Sequence, residues 1–209
     1  MKIEKIEGGP LPTNCYILTD DATGVSAVID PGFESRELDD AVRAAGDVRA
    51  ILLTHGHFDH ICGVGRIRDL TGAKIYMIAD EIRFIRDPSL NLSDMLFGGV
   101  LKPFRVDVAL NDREKIQVGS LTATVMLTPG HTSGGCCFLV EDAMFSGDTL
   151  MRLSCGRTDF QTGNFTQMIG SLRRLRDLPG DYRVFPGHGP ETTLDFERRN
   201  NPYLGTDPA

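Results

Sequence analysis

Residues 54–65 read Thr54-His55-Gly56-His57-Phe58-Asp59-His60-Ile61-Cys62-Gly63-Val64-Gly65, which puts three of the five histidines of the chain and one aspartate within a hexapeptide. Imidazoles and a carboxylate packed this closely suffer desolvation and mutual repulsion unless a cation offsets both. The stretch follows the apolar run 50–53, so it reads as a loop at the carboxyl end of a buried strand, running on into a helix. Its glycines let the backbone come close to a site. A turn this tight aims neighbouring side chains in different directions, as one metal or two adjacent metals require.

Outward from this loop, the remaining histidines stand in two near-identical turns, Pro129-Gly130-His131 and Pro186-Gly187-His188. Asp148, in Ser146-Gly147-Asp148-Thr149, adds a carboxylate after another apolar run. Alone, a Pro-Gly-His turn is ordinary turn chemistry. Together the four motifs form a ligand inventory of His55, His57, Asp59, His60, His131, Asp148 and His188.

The rest of the chain supplies a scaffold. Strands are expected at 2–6, 15–19, 26–29, 50–53, 74–77, 114–118, 121–127, 136–140 and around Met144-Phe145, with a short one at 183–185. Leu38, Ala41, Val42 and Ala45 recur with helical spacing before Gly46, which predicts a helix over 34–45. Phe165, Met168, Ile169, Leu172 and Leu175 mark a second helix, and 191–200 a closing one. Strands and helices interleave without a linker, which implies an α/β protein of one domain, 1–209, with two sheets and helices packed outside them. Residues 87–112 fit neither half. They read either as a surface meander or as a lid insertion, with Leu92, Met95, Leu96 and Phe97 over a pocket and Lys102 and Arg105 near an anionic leaving group.

Composition narrows the function classes. With 29 acidic against 22 basic residues the formal charge is -7, which disfavours a nucleic-acid partner. No apolar stretch is long enough to span a membrane, and acidic residues near the start occupy the place of a signal peptide's apolar region. Five cysteines (Cys15, Cys62, Cys136, Cys137, Cys155) without a CxxC spacing suggest free thiols in a reducing, cytoplasmic setting. The expected partner is a small-molecule substrate, and the oligomeric state is left open.

The order HxHxDH, H, D, H resembles that of the metallo-β-lactamase superfamily over essentially the whole chain. The resemblance implies a four-layer αββα sandwich with the metal site at one edge between the two sheets. By position, His55, His57 and His131 would bind a first metal and Asp59, His60 and His188 a second, with Asp148 bridging. Asp30, in Ile29-Asp30-Pro31-Gly32, matches an early aspartate that orients the histidine loop. Two divalent ions are implied, zinc in the first place, with iron or manganese as alternatives. Within the superfamily the chain is most similar to short glyoxalase-II-like hydrolases. Asp148 stands where the best-known β-lactamases carry Cys, and His57 where flavodiiron oxygen reductases carry Glu. Cys155-Gly156-Arg157 resembles the segment after the bridging Asp in glyoxalase II, and Gly156-Arg157-Thr158-Asp159-Phe160 resembles short bacterial relatives. The chain ends shortly after His188, without the helical domain with which glyoxalase II grips glutathione.

Two cations about 3.5–4 Å apart hold a shared hydroxide and bring the pKa of water toward about 7, so hydrolysis is the expected reaction, with Asp59 and Asp148 as catalytic carboxylates. A thiolate leaves without much acid assistance, which favours a thioester or ester over a lactam. The alternative is a mononuclear iron sulfur (persulfide) dioxygenase, which in the superfamily shares these motifs; a nuclease of the RNA-processing branch would call for a basic surface. Candidate substrate residues are Arg152 and Arg157, for a carboxylate, with Asn14 and Tyr16, which resemble a family segment near the site, and Phe97 on the lid. Cys155 is not expected to be a nucleophile, because every histidine is already assigned and none is left to activate it.

Overall fold

The computed structural model describes residues 1–97 and 101–205, the side chains of Leu96 and Phe97 excepted. The first sheet takes β1 (Lys2–Gly8), β2 (Thr13–Thr19), β3 (Val25–Ile29), β4 (Asp47–Leu53), β5 (Lys74–Ile78) and β6 (Val108–Leu110) in sequential order. Its first three strands are antiparallel, and β3 to β6 run parallel. The second sheet begins with β7 (Lys115–Val118), β8 (Leu121–Leu127), β9 (Cys136–Val140) and β10 (Ala143–Gly147). After a small hairpin, β11 (Leu150–Met151) with β12 (Ser154–Cys155), it is completed by β13 (Arg183–Pro186) and β14 (Thr192–Thr193). The strand order is β14-β13-β10-β9-β8-β7, with β13 parallel to β10.

Alternation along the strands decides the layers, since successive side chains face opposite ways. Leu18, Ala27, Ile29 and Leu52 of the first sheet meet Ala123, Val125, Phe138 and Phe145 of the second in the central core. Val28, Ile51 and Ile75 face outward, where Leu38 and Val42 of α1 (Arg36–Ala44) and Ile67 of α3 (Val64–Thr71) cover them. On the far side, α5 (Phe165–Arg176) and α6 (Leu194–Asn200) lay Met168, Leu172, Leu175 and Leu194 over Cys137, Met144 and Val184. The result is the four-layer αββα sandwich. Cys136 and Cys137 fall on opposite faces of β9, both in cores.

Caps set the helix limits. Ser35 accepts from the Leu38 N–H to start α1, and Asn164 from the Gln167 N–H to start α5. The closing helix begins later than the apolar pattern predicts, because Thr192 and Thr193 are drawn into the sheet as β14 and the Thr193 hydroxyl caps Phe196. Phe165 opens α5 but stays 57% exposed, outside the buried stripe.

Residues 87–112 divide. Val106, Val108 and Leu110 alternate, and Val108–Leu110 becomes the edge strand β6 of the first sheet. Leu101 and Phe104 pack on the outer core of that sheet. Lys102 borders a surface hollow with Glu34, Arg66 and Asp69, the Arg105 carbonyl accepts from Arg68, and neither residue is among those lining the cavity over the histidines. Among the described residues of this segment, Leu92 and Met95, the latter in α4 (Ser93–Phe97), reach the site. Among the described residues no helix is long and apolar enough to cross a membrane.

Candidate metal centre

The site forms where loops leaving the two sheets converge at one edge of the sandwich. His55 and His57 follow β4, and His60 lies in the single helical turn α2 (Phe58–Ile61). His131 follows β8, Asp148 follows β10 and His188 follows β13. Glycine at 187 is a steric requirement, because a Cβ there would collide with Asp148 Oδ1 and His60 Cε1.

Six side chains and a shared carboxylate meet here. His57 Nδ1 lies 2.9 Å from His131 Nε2. Asp148 stands between the groups, with Oδ1 3.4 Å from His60 Nε2 and Oδ2 3.4 Å from His131 Nε2 and 3.6 Å from His188 Nε2. Asp59 Oδ2 is 3.2 Å from His188 Nε2 and 3.8 Å from His60 Nε2. Three triads have donor atoms within 4.8 Å of one another: His55-His57-His131, His55-His60-Asp148 and Asp59-His60-His188. His55 Nε2, His60 Nε2 and Asp148 Oδ1 are buried without a hydrogen-bond partner. Orphaned buried donors facing a common point are what a divalent-cation site of nitrogen and oxygen ligands demands, so the residues fit such ions.

The opposite nitrogens are held. His55 Nδ1 meets Thr54 Oγ1 (3.1 Å), His60 Nδ1 meets Asp30 Oδ2 (2.9 Å), His131 Nδ1 the Arg157 carbonyl (2.7 Å), and His188 Nδ1 the Pro12 carbonyl (2.8 Å). A carbonyl or carboxylate accepts only from N–H, which leaves the Nε2 lone pair of His60, His131 and His188 directed at the cluster. Asp30 also accepts from the Thr54 N–H and hydroxyl, tying the start of the histidine loop to β3.

Charge is balanced locally. Burial, then the neighbouring imidazoles, pushes His55 well below its ordinary value, and burial and His131 take His57 to about 3. Both imidazoles are therefore neutral at pH 7. Burial alone would lower His60, but Asp148, Asp59 and Asp30 overrule it and hold it well above the usual imidazole range. Burial would raise Asp148, yet His60, His131 and His188 keep it well below the carboxylate range.

A cavity of about 520 Å³ opens on this cluster. Its floor is His57, Asp59, His131, Asp148 and His188, and its walls include Leu11, Phe58, Leu92, Met95, Met151 and Phe160. Phe160 stands edge-on to His57, 5.5 Å between centroids. Arg157 reaches the rim, but its guanidinium lies over Phe160 at 4.2 Å and is paired with Asp159 through two 2.7 Å hydrogen bonds. Cys155 also lines the cavity, and burial lifts its thiol to about 11, so it is protonated at neutral pH. Cys155→Ser is accordingly expected to retain most activity, within about 3-fold; a loss near 1000-fold at unchanged metal content, by steady-state kinetics and metal analysis, would give the thiol a part in the chemistry.

Several expected substrate residues are placed elsewhere. The Asn14 amide donates to the Pro186 and Gly189 carbonyls (2.9 and 2.8 Å), and the Tyr16 hydroxyl donates to Pro186 (2.8 Å). Both are buried behind the Pro186-Gly187-His188 turn and shape it instead of lining the cavity. Arg152 points to the other side of the hairpin, into a separate groove, with its guanidinium 4.9 Å over the Phe196 ring. The Phe97 side chain lies outside the described residues. Glu81, which the sequence reading passed over, is fully buried beside the site and accepts from the N–H groups of Gly56 and Gly134. Burial lifts its carboxyl to about 7 against the pull of those donors. In the charged string Ala79-Asp80-Glu81-Ile82-Arg83 no periodicity sets it apart from a solvated acid.

Comparison with known proteins gives concordant results. The pattern of the metallo-beta-lactamase superfamily matches residues 8–188. The "Probable metallo-hydrolase YqgX" of Bacillus subtilis (strain 168) is 34% identical over 208 residues, 98% of each chain. Among crystal structures, the BLEG-1 B3 metallo-beta-lactamase superposes with a TM-score of 0.91 at 35% identity, covering 98% of this chain and all of that one. TTHA1623 in a di-iron-bound form gives 0.84 at 32% identity, over 96% of this chain and all of that one.

Proposed function

The chain belongs to the metallo-beta-lactamase superfamily, and from that premise we propose that it is a dinuclear metal-dependent hydrolase of small acyl thioesters or esters, glyoxalase-II-like in its chemistry. The observation that carries this reading is the Asp148 carboxylate facing both ligand sets at the floor of a cavity with apolar walls. His55, His57 and His131 would hold one ion and Asp59, His60 and His188 the other, with Asp148 between them. When bound, two divalent ions, zinc first and iron in light of the di-iron form of TTHA1623, supply an activated water and an electrophile for the scissile carbonyl.

The protein contributes the surroundings. Asp59 and Asp148 offset the cationic charge and offer acceptors to the attacking water. Leu11, Phe58, Leu92 and Met95 form a dry wall suited to an acyl chain, and Phe160 closes the side above His57. Arg157, already engaged by Asp159, is poorly placed to demand an anionic substrate. A small leaving thiolate suits this site, since it departs without a proton and no lysine stands among the described lining residues to protonate a leaving amine.

The test uses protein of measured metal content against acyl thioesters, esters, a lactone and a chromogenic cephalosporin, with oxygen uptake followed on glutathione persulfide. The expected result is two ions per chain and thioester or ester turnover at least about 10-fold above the lactam, a barrier difference of about 1.4 kcal/mol or more. The BLEG-1 name supplies the opposite outcome, since lactam turnover above the thioesters would overturn the reading. One iron per chain with oxygen consumption would replace it by the dioxygenase.

A further inference from the structure

Glu81 follows β5 in a 3-10 helical stretch, Ala79–Arg86, and is 0% exposed. Its oxygens divide between two loops. Oε2 accepts from the Gly56 N–H at 2.8 Å, between His55 and His57, and Oε1 accepts from the Gly134 N–H at 2.7 Å, just after His131. Gly56 belongs to the loop that leaves the first sheet, whereas Gly134 leads into β9 of the second. One buried carboxylate therefore joins the two loops that carry the three-histidine set. The fit is close, for a Cβ on Gly134 would lie 2.9 Å from Glu81 Cγ and 3.0 Å from Oε1.

We propose that Glu81 is a positioning residue for the three-histidine half of the centre. By clamping Gly56 to Gly134 it sets the separation of His55 and His57 from His131, and so the affinity of that half for its ion, without touching the ion itself. This rests on reading the cluster as a metal centre. In its ionised form this carboxyl suits the task, because each oxygen then accepts from one N–H and neither donates back. Glutamine satisfies only one of the two, and its amide would oppose the other N–H donor.

The fold holds an internal comparison. Asp20 joins the sheets at the opposite end of the sandwich, where it accepts from the Ser120 N–H (2.7 Å) and hydroxyl (2.8 Å), with the Thr23 hydroxyl on the same oxygen. It is a staple of the same kind with no ligand loop attached. A clamp that only stabilises the fold would act alike at either end.

The experiment measures zinc affinity by competition with a chromogenic chelator, together with the melting temperature of the metal-free protein, for wild type, Glu81→Gln and Asp20→Asn. Glu81→Gln is expected to weaken one of the two zinc-binding steps by about 10- to 100-fold, the range for groups that orient metal ligands. Asp20→Asn is expected to lower the melting temperature while both steps stay within about 2-fold of wild type. Wild-type affinity in Glu81→Gln, or an equal loss in Asp20→Asn, overturns the proposal. Should Glu81→Gln not fold, Gly134→Ala decides, since it pries at the same clasp with the carboxylate in place: weakened zinc binding supports the clamp and unchanged binding overturns it. A wild-type chain that takes up no zinc would instead refute the metal-centre reading, a result separate from any difference between variants.

Discussion

Replacing Asp148 with alanine is expected to reduce bound metal from about two ions to one or fewer per chain and to lower thioester turnover by about 1000-fold or more. The size of the effect follows from position. Among the described residues Asp148 is the one carboxylate with oxygens near His60, His131 and His188 together, so under the proposed assignment it would take part in both halves of the centre. Its own carboxyl is held well below the ordinary range by those imidazoles, His60 foremost, against a burial effect of the opposite sign. Such a lowered value contributes stability above the unfolded carboxylate pKa, so the metal-free variant should also melt earlier at neutral pH. Metal analysis and circular dichroism on the same samples separate the two losses. A folded Asp148→Ala protein that keeps two ions and near-normal turnover would refute the bridging role. Asp148→Asn, which preserves the shape and loses the charge, is expected to fall between.

The chemistry of this centre was legible because its parts are local in sequence. Three histidines and an aspartate in one hexapeptide need no tertiary information to suggest a cation, and strand and helix periodicity implies two sheets with helices outside them, to which the family resemblance added the αββα order. What escaped was sidedness and long-range contact. Met151 and Arg152 are neighbours, yet Met151 lines the cavity and Arg152 a separate groove, because β11 ends at Met151 and the chain turns at Arg152, and the sequence does not say which side of that hairpin faces inward. Asn14 and Tyr16 look like pocket residues in a linear motif. Their amide and hydroxyl are instead spent on the Pro186 and Gly189 carbonyls, about 170 positions away in the chain, where they fix the turn that presents His188. Glu81 is the extreme case, a buried acid whose partners are two backbone N–H groups in loops attached to different sheets. The segment 87–112 does not act as one unit, because its end alternates with strand period and pairs with β5 as β6, while Leu92 and Met95 line the cavity.

Asp30→Asn carries the second large effect, and it acts through a proton. Asp30 Oδ1 accepts from the Thr54 N–H at 2.8 Å, and Oδ2 accepts from the Thr54 hydroxyl at 2.6 Å and from His60 Nδ1 at 2.9 Å. The asparagine oxygen can keep the Thr54 N–H, and the hydroxyl can rotate. His60 has no such freedom, being fully buried in a fixed turn. An amide NH2 in place of Oδ2 is a donor, so Nδ1 must give up its proton to accept from it, and the neutral ring then carries hydrogen on Nε2. Nε2 is the atom that faces Asp59 and Asp148, where a cation needs a lone pair. The expected result is a loss of about 10- to 100-fold in zinc affinity at the Asp59-His60-His188 position, with the three-histidine position less affected. Chelator competition reads the affinities, and nitrogen-15 shifts of the His60 ring report the tautomer directly. Zinc affinity equal to wild type, with Nε2 still free of hydrogen, would show that the turn alone orients His60 and that Asp30 is dispensable to it.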